Sequence, residues 1–259
     1  MKIMGILNVT PDSFSDGGAY VDIEKAVAHA VQMVADGADV IDIGGESTRP
    51  GSVPISLEEE LARVIPVIQR LRDVVDVPIS IDTYKAEVAR QAVAAGVTII
   101  NDVWAGRRDP EMLRVMAESD AQVVLMHNRT PEQENAALTS IVSEVLAELQ
   151  ATVDLALAAG VEKERIIVDP GIGFGKTLEQ NIELIKHIDQ LKSLGYPVLL
   201  AASKKRTIRA LAQTEDLGLG VGVGTLAVTC YACTKGIAYV RVHEVKENKL
   251  AINVMGNLE

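Results

Sequence analysis

The segment DPGIGFGK, Asp169–Lys176, closes a short apolar run and opens a loop with three glycines in six residues. Two other segments share that grammar: MGILNVTPDSFSDGG at Met4–Gly18 and DIGGESTRPG at Asp42–Gly51. Each begins as an apolar strand, breaks into Gly, Pro, Ser and Asp, and is followed by a helical pattern. Repeated polar loops just after strands build one mouth, which is where an α/β barrel carries its chemistry.

Outward from these segments the chain alternates strand and helix. Candidate strands are Lys2–Asn8, Val40–Ile43, Ile79–Asp82, Thr98–Asn101, Val123–His127, Ile166–Asp169, Val198–Ala201 and Ala238–Val242. Several are near-continuous apolar runs, as strands covered on both faces should be. Helical spacing of three and four marks Asp22–Gly37, Leu57–Leu71, Leu178–Leu194 and Leu226–Lys235. Gly37, Gly96, Gly160 and Gly195 follow periodic segments and read as helix stops. The reading is a single (β/α)₈ TIM barrel, one domain over residues 1–259. A doubly wound open sheet is the alternative. It lacks support, because no GxGxxG follows the first strand and polar residues end nearly every strand.

Composition narrows the function. At 259 residues, 48% of them apolar, the chain can bury a large core without staples. Its formal net charge of −11 argues against nucleic-acid binding, whose footprint is basic. No apolar run approaches the roughly 20 residues of a membrane span. No signal peptide is read at the start. Two cysteines, Cys230 and Cys233, make no disulfide framework, so a cytoplasmic setting is expected. Their CxxC spacing lies in a helical pattern and reads as structural.

At the strand ends stand Asn8, then Glu46, Ser47, Thr48 and Arg49, then Asp82, Asn101, His127, Asp169, Lys205, Arg241 and His243. One Asp at such a place is commonly a helix cap. Several at matching positions of a barrel indicate a site. Asp82, Asn101 and Asp169 offer acceptors and an amide, which suit an aminated heterocycle, since a carboxylate holds an amino-pyrimidine edge as it holds Arg. Thr48, Arg49, Arg241 and His243 suit a phosphate or pyrophosphate rim. Asn8 is a neutral oxygen ligand of the kind Mg²⁺ accepts beside substrate phosphates. Glu46 is read as shaping its loop, Trp104 as a loop anchor, His29 and His187 as surface residues, and His127 as a residue behind the site.

Taken together, NVTPDSFSDGG (Asn8–Gly18), GGESTRPG (Gly44–Gly51), SIDT (Ser80–Thr83), IND (Ile100–Asp102), LMH (Leu125–His127), DPGIGFGK (Asp169–Lys176), SKK (Ser203–Lys205) and RVH (Arg241–His243) make the chain resemble the dihydropteroate synthases. These are pterin-binding, sulfonamide-target enzymes of folate synthesis, and the resemblance spans essentially the whole chain. It implies a transferase that condenses 7,8-dihydropterin-6-ylmethyl diphosphate with 4-aminobenzoate, giving dihydropteroate and diphosphate. It implies a pterin set of Asp82, Asn101, Asp169 and Lys205, and Mg²⁺ at Asn8. It also implies a diphosphate and loop set of Thr48, Arg49, Arg241 and His243, and an aminobenzoate wall of Phe174, Lys205 and Pro50. Asp82, Lys205 and Arg49 stand as the catalytic residues. It implies a homodimer through late helices. The chain departs from the family pattern at Ala201, Lys204, Arg206, Glu244 and in the loop HNRTPEQE after the fifth strand. The rivals are a pterin-binding methyltransferase with a corrinoid partner, which needs no diphosphate rim, and a silent paralogue that only binds pterins.

Overall fold

The computed structural model describes residues 1–10, 18–47, 53–130, 140–216 and 218–258. Thr48, Arg49 and Pro50, most of the first loop signature and the second half of HNRTPEQE lie outside these residues. The strands are β1 (Lys2–Asn8), β2 (Val40–Gly44), β3 (Ile79–Asp82), β4 (Ile99–Asp102), β5 (Gln122–Met126), β6 (Ile166–Asp169), β7 (Leu199–Leu200) and β8 (Tyr239–Val242). All neighbours pair in parallel, in the order β6-β5-β4-β3-β2-β1-β8-β7. A parallel bridge from Val168 to Val198 joins the two ends, so the sheet closes into the expected barrel.

The strand expectations stand within a residue at each end. β7 is the shortest, reduced to Leu199–Leu200 plus the bridge at Val198. The helices are α1 (Gly18–Ala35), α2 (Leu57–Arg72), α3 (Ala86–Ala94), α4 (Met112–Glu118), α5 (Ile141–Ala158), α6 (Leu178–Lys186), α7 (Arg206–Ala212), α8 (Leu219–Thr234) and α9 (Val245–Gly256). The helix expected over 178–194 is broken. His187 leaves helical geometry at φ −112°, and a 3₁₀ helix follows over Ile188–Leu194. Ile188 and Leu191 are fully buried and Leu194 packs on the core, an interval of three that matches the 3₁₀ turn. The helix expected from Leu226 starts earlier, at Leu219. At Gly224 a Cβ would come 2.8 Å from Ile208, so this glycine lets α7 and α8 meet closely. The four glycine stops all take left-handed φ, between 81° and 105°.

Two apolar layers hold the barrel. The larger lies between sheet and helices. The smaller takes one residue from each of seven strands: Met4, Val40, Ile99, Val124, Ile167, Leu199 and Tyr239. These side chains fill the barrel interior, and burying each aliphatic one contributes about 1.5–3 kcal/mol. Side chains alternate along a strand, so the residues two places further on face the same interior, nearer the mouth. Those residues are Ile6, Asp42, Asn101, Met126, Asp169, Ala201 and Arg241. The apolar plug is thus the floor of a polar chamber.

Candidate active site

The chamber is organised around Arg241. Its Nε donates to Asp42 Oδ2 at 2.5 Å and its Nη2 donates to Asp82 Oδ2 at 2.7 Å. Asp42 is fully buried and Asp82 is 5% exposed. Asn101 Nδ2 donates to the same Asp42 oxygen at 3.2 Å. Burial would lower the Arg241 pKa, but Asp42 and Asp82 reverse this and hold it firmly protonated. Burial pushes the Asp82 carboxyl up, with Arg241 opposing. Only two of the five guanidinium N–H groups are used by described residues, so donors remain for an anion. One oxygen each of Asp42 and Asp82 is buried without a partner among the described residues. Such acceptors are costly to leave unmade and call for a donor-rich guest.

Opposite stand Asp169 and Lys205. Asp169, at the end of β6, is 2% exposed and accepts from Gly171 N at 2.7 Å. Burial pushes its carboxyl up, and Lys205 is the charge that most opposes this. Lys205 caps α7; its Nζ donates to Ile172 O at 2.7 Å and lies 4.6 Å from the Phe174 ring centroid. Burial brings Lys205 down to about 8, with Asp169 pulling the other way. Both members of this pair are driven towards neutrality by the dry environment. A polar guest that hydrogen-bonds the carboxylate would offset the desolvation.

At the rim, Asn8 ends β1 with an exposed side chain. It faces Asp82 across Gly44, where an added Cβ would lie 3.8 Å from Asn8 Oδ1 and 3.7 Å from the Asp82 Cβ. Ser203 Oγ and His243 Nδ1 lie 2.9 Å apart, and the His243 amide also donates to Ser203 Oγ at 3.3 Å, tying the ends of β7 and β8 together. Two of the family departures meet here: Lys204 and Glu244 form an ion pair. Arg206, the first residue of α7, is exposed. Ala201 is buried.

Asn8, Asp82, Asn101, Asp169, Lys205, Phe174, Arg241 and His243 therefore all lie on the C-terminal side of the barrel. His127 belongs elsewhere. It falls one residue out of step with inward-facing Val124 and Met126, so its side chain leaves the chamber. It meets Glu148 of α5 at 2.8 Å, and burial lowers it to about 4. Glu46 accepts from Lys85 Nζ at 2.5 Å and Tyr84 OH at 2.7 Å, and Lys85 also reaches buried Glu60 at 2.5 Å. That knot roots the β2–α2 loop, as its reading required. Trp104 donates its amide to Asp102 Oδ1 at 2.8 Å, with Arg108 over its ring, consistent with an anchor. Two residues escaped the sequence reading. Asp42 follows inward-facing Val40 by two and was visible to the alternation rule. Lys176 gave no signal beyond its charge, yet it is 6% exposed.

Fold and chamber define a (β/α)₈-barrel enzyme with a deep carboxylate–guanidinium pocket under a polar rim. Residues 4–243 match the pterin-binding enzyme family. The chain is 49% identical to the dihydropteroate synthase of Bacillus subtilis (strain 168), over 95% of this chain and 84% of that protein. A crystal structure of Clostridium difficile dihydropteroate synthase in the presence of pteroic acid superposes with a TM-score of 0.94 at 46% identity, covering 100% of this chain and 96% of that one. The Xanthomonas albilineans dihydropteroate synthase with 4-aminobenzoic acid gives 0.93 at 44% identity, covering 99% and 92%. The chain belongs to the dihydropteroate synthase family of pterin-binding enzymes.

Proposed function

We propose that the chain condenses 7,8-dihydropterin-6-ylmethyl diphosphate with 4-aminobenzoate, as a transferase of folate biosynthesis. The observation that carries this reading is the buried Asp42–Arg241–Asp82 array facing Asp169 and Lys205 in one chamber. The pterin lies in that chamber, with its amino-pyrimidine edge on Asp169 and further bonds to Asn101, Asp82 and Lys205. The diphosphate takes the unused donors of Arg241, with His243 and the loop residues Thr48 and Arg49 beside it. The C–O bond to diphosphate breaks, and the pair leaves with the phosphate oxygen. Positive charge then builds on the methylene, where Asp82 stabilises it. The aminobenzoate nitrogen attacks that carbon and afterwards loses a proton. Phe174, Lys205 and Pro50 wall the aromatic ring.

A divalent cation fits the rim. Asn8 is a lone exposed oxygen donor, and no described group of three His, Cys, Asp or Glu competes for a metal. Mg²⁺ characteristically takes one or two protein oxygens and completes its shell with water and phosphate. Asn8 would hold it, and its chemistry there is neutralisation of the diphosphate charge.

The protein works as one domain and pairs with a second copy through the late helices. Leu219 and Val223 of α8 and Leu250 and Val254 of α9 are 56–77% exposed, a lateral apolar face. None of the described helices is long and apolar enough to cross a membrane. A cytoplasmic setting accords with the cysteine usage. A coupled diphosphate-release assay with both substrates and Mg²⁺ tests the reading. Turnover that requires both substrates supports it. Diphosphate release without aminobenzoate, or none at all, refutes it.

A further inference from the structure

Lys176 is a buried amine that the reaction above does not use; burial lowers it to about 7, and in its charged form it carries three donors. Taking such a charge out of water is costly unless every N–H is met. Here the three donors meet three carbonyls: Gly171 O at 2.9 Å, Phe174 O at 3.0 Å and His127 O at 3.4 Å. Two of these belong to the β6–α6 loop and the third to the end of β5. The loop curls round its own lysine through left-handed glycines, with φ of 67° at Gly171 and 56° at Gly175. It also presses on the β5 segment. A Cβ on Gly171 would stand 1.8 Å from His127 O, and one on Gly175 2.4 Å from Arg129 O. On its other side the same loop supplies Ile172 O to Lys205 Nζ at 2.7 Å and the Phe174 ring beneath it.

We propose that Lys176 is a positioning residue whose ammonium clamps the β6–α6 loop to β5 and thereby fixes both the Phe174 ring and the carbonyl that seats Lys205. The proposal rests on the functional reading above for its kinetic consequence and on geometry for the clamp itself. Releasing the clamp takes a donor from all three carbonyls; Gly171 O keeps the Phe174 amide, but Phe174 O loses its donor, so the loop must turn to hydrate it. That movement carries Phe174 and Ile172 O away from the chamber.

The test uses the full-length protein as Lys176→Met, which keeps volume and removes all donors, and as Lys176→Gln, which keeps two. Hydrogen exchange of the peptide spanning residues 170–177 is read beside steady-state kinetics. The Gly173 amide donates to Asn181 Oδ1 at 2.6 Å and the Phe174 amide to Gly171 O at 3.2 Å, so both report the loop. Lys176→Met should speed exchange there at least tenfold and raise the aminobenzoate KM about tenfold, with Lys176→Gln between it and wild type. In a cycle with Phe174→Ala, the second substitution should add little to the aminobenzoate KM. Lower thermal stability with unchanged loop exchange and unchanged KM would reduce Lys176 to a packing residue and overturn the proposal. If wild type itself forms no dihydropteroate, the functional reading falls and exchange alone decides the clamp.

Discussion

Asp42→Ala should cost this protein both stability and turnover. The Asp42 carboxylate is fully buried and accepts from Arg241 Nε at 2.5 Å and from Asn101 Nδ2 at 3.2 Å. Truncation leaves a largely buried guanidinium with Asp82 as its one ion-paired carboxylate among the described residues, and an amide without an acceptor. Removing one partner of a buried pair costs about 3–5 kcal/mol. The orphaned amide alone costs about 1–3 kcal/mol, but the two share one oxygen and do not add. A net loss of about 4 kcal/mol lowers Tm by roughly 8–16 °C in a chain of this size. Asp42→Asn keeps an acceptor for Arg241 Nε and loses only the charge, so about half that loss is expected. Turnover should suffer in both variants, because Arg241 is aimed by two carboxylates and swings towards Asp82 when one is gone. A misplacement of about 1 Å can cost roughly a hundredfold in rate. Urea unfolding, thermal melts and diphosphate release are measured on the same preparations. If Asp42→Asn kept its Tm and its kcat/KM, Arg241 would not depend on this carboxylate and the central array would be misread.

Asp169→Asn should abolish tight pterin binding, at a cost of about 3 kcal/mol or more, because an amide sets a donor where the guest also donates; unchanged affinity by calorimetry would remove the residue from the pterin set. Lys205, lowered to about 8, should impose an alkaline limb on kcat/KM that begins near that pH and is lost in Lys205→Met. Its effect on stability has the opposite sign. The unfolded lysine stays protonated to a higher pH than the folded one, so between about 8 and its ordinary value stability should rise with pH, and less so in Lys205→Met. A flat profile in both would place the Lys205 ammonium in water. Arg206→Ser should raise the aminobenzoate KM by about 1 kcal/mol if the exposed guanidinium reaches the carboxylate; an unaltered KM assigns Arg206 to solvent.

The barrel was legible because its strands are buried on both sides and therefore written in nearly unbroken apolar runs. β6 could be read to the residue, since Asp169 and Pro170 stop the run abruptly. The broken helix after Thr177 could not, because spacings of three and four coexist in 178–194 and only packing shows that the second half uses three alone. Residue type at strand ends singled out the polar groups of the chamber, and the loop roles read for Glu46 and Trp104 agree with their contacts to Lys85 and Tyr84 and to Asp102 and Arg108.

What residue type could not give was facing, and facing decides membership of the chamber. His127, just past the end of β5, and Asp102, at the end of β4, are polar residues at strand ends as Asp169 is. Both are a single residue out of phase with the inward set, so His127 meets Glu148 and Asp102 accepts from the Trp104 and Gly106 amides. Asp42 is in phase and lies inside, although it sits before the glycines that mark its strand's end. Counting by two from the interior plug, rather than looking for the last polar residue of a strand, selects Asp42 and rejects His127 together. The same count explains the charge balance of the chamber. The in-phase ring carries Asp42 and Asp169 against Arg241, Asp82 joins them in register with Asn101, and Lys205 reaches in from the start of α7. Three carboxylates against two cations leave an excess of buried acceptors. A guest rich in N–H donors and carrying its anion at the rim meets that excess at the floor while its charge stays beside the cations above.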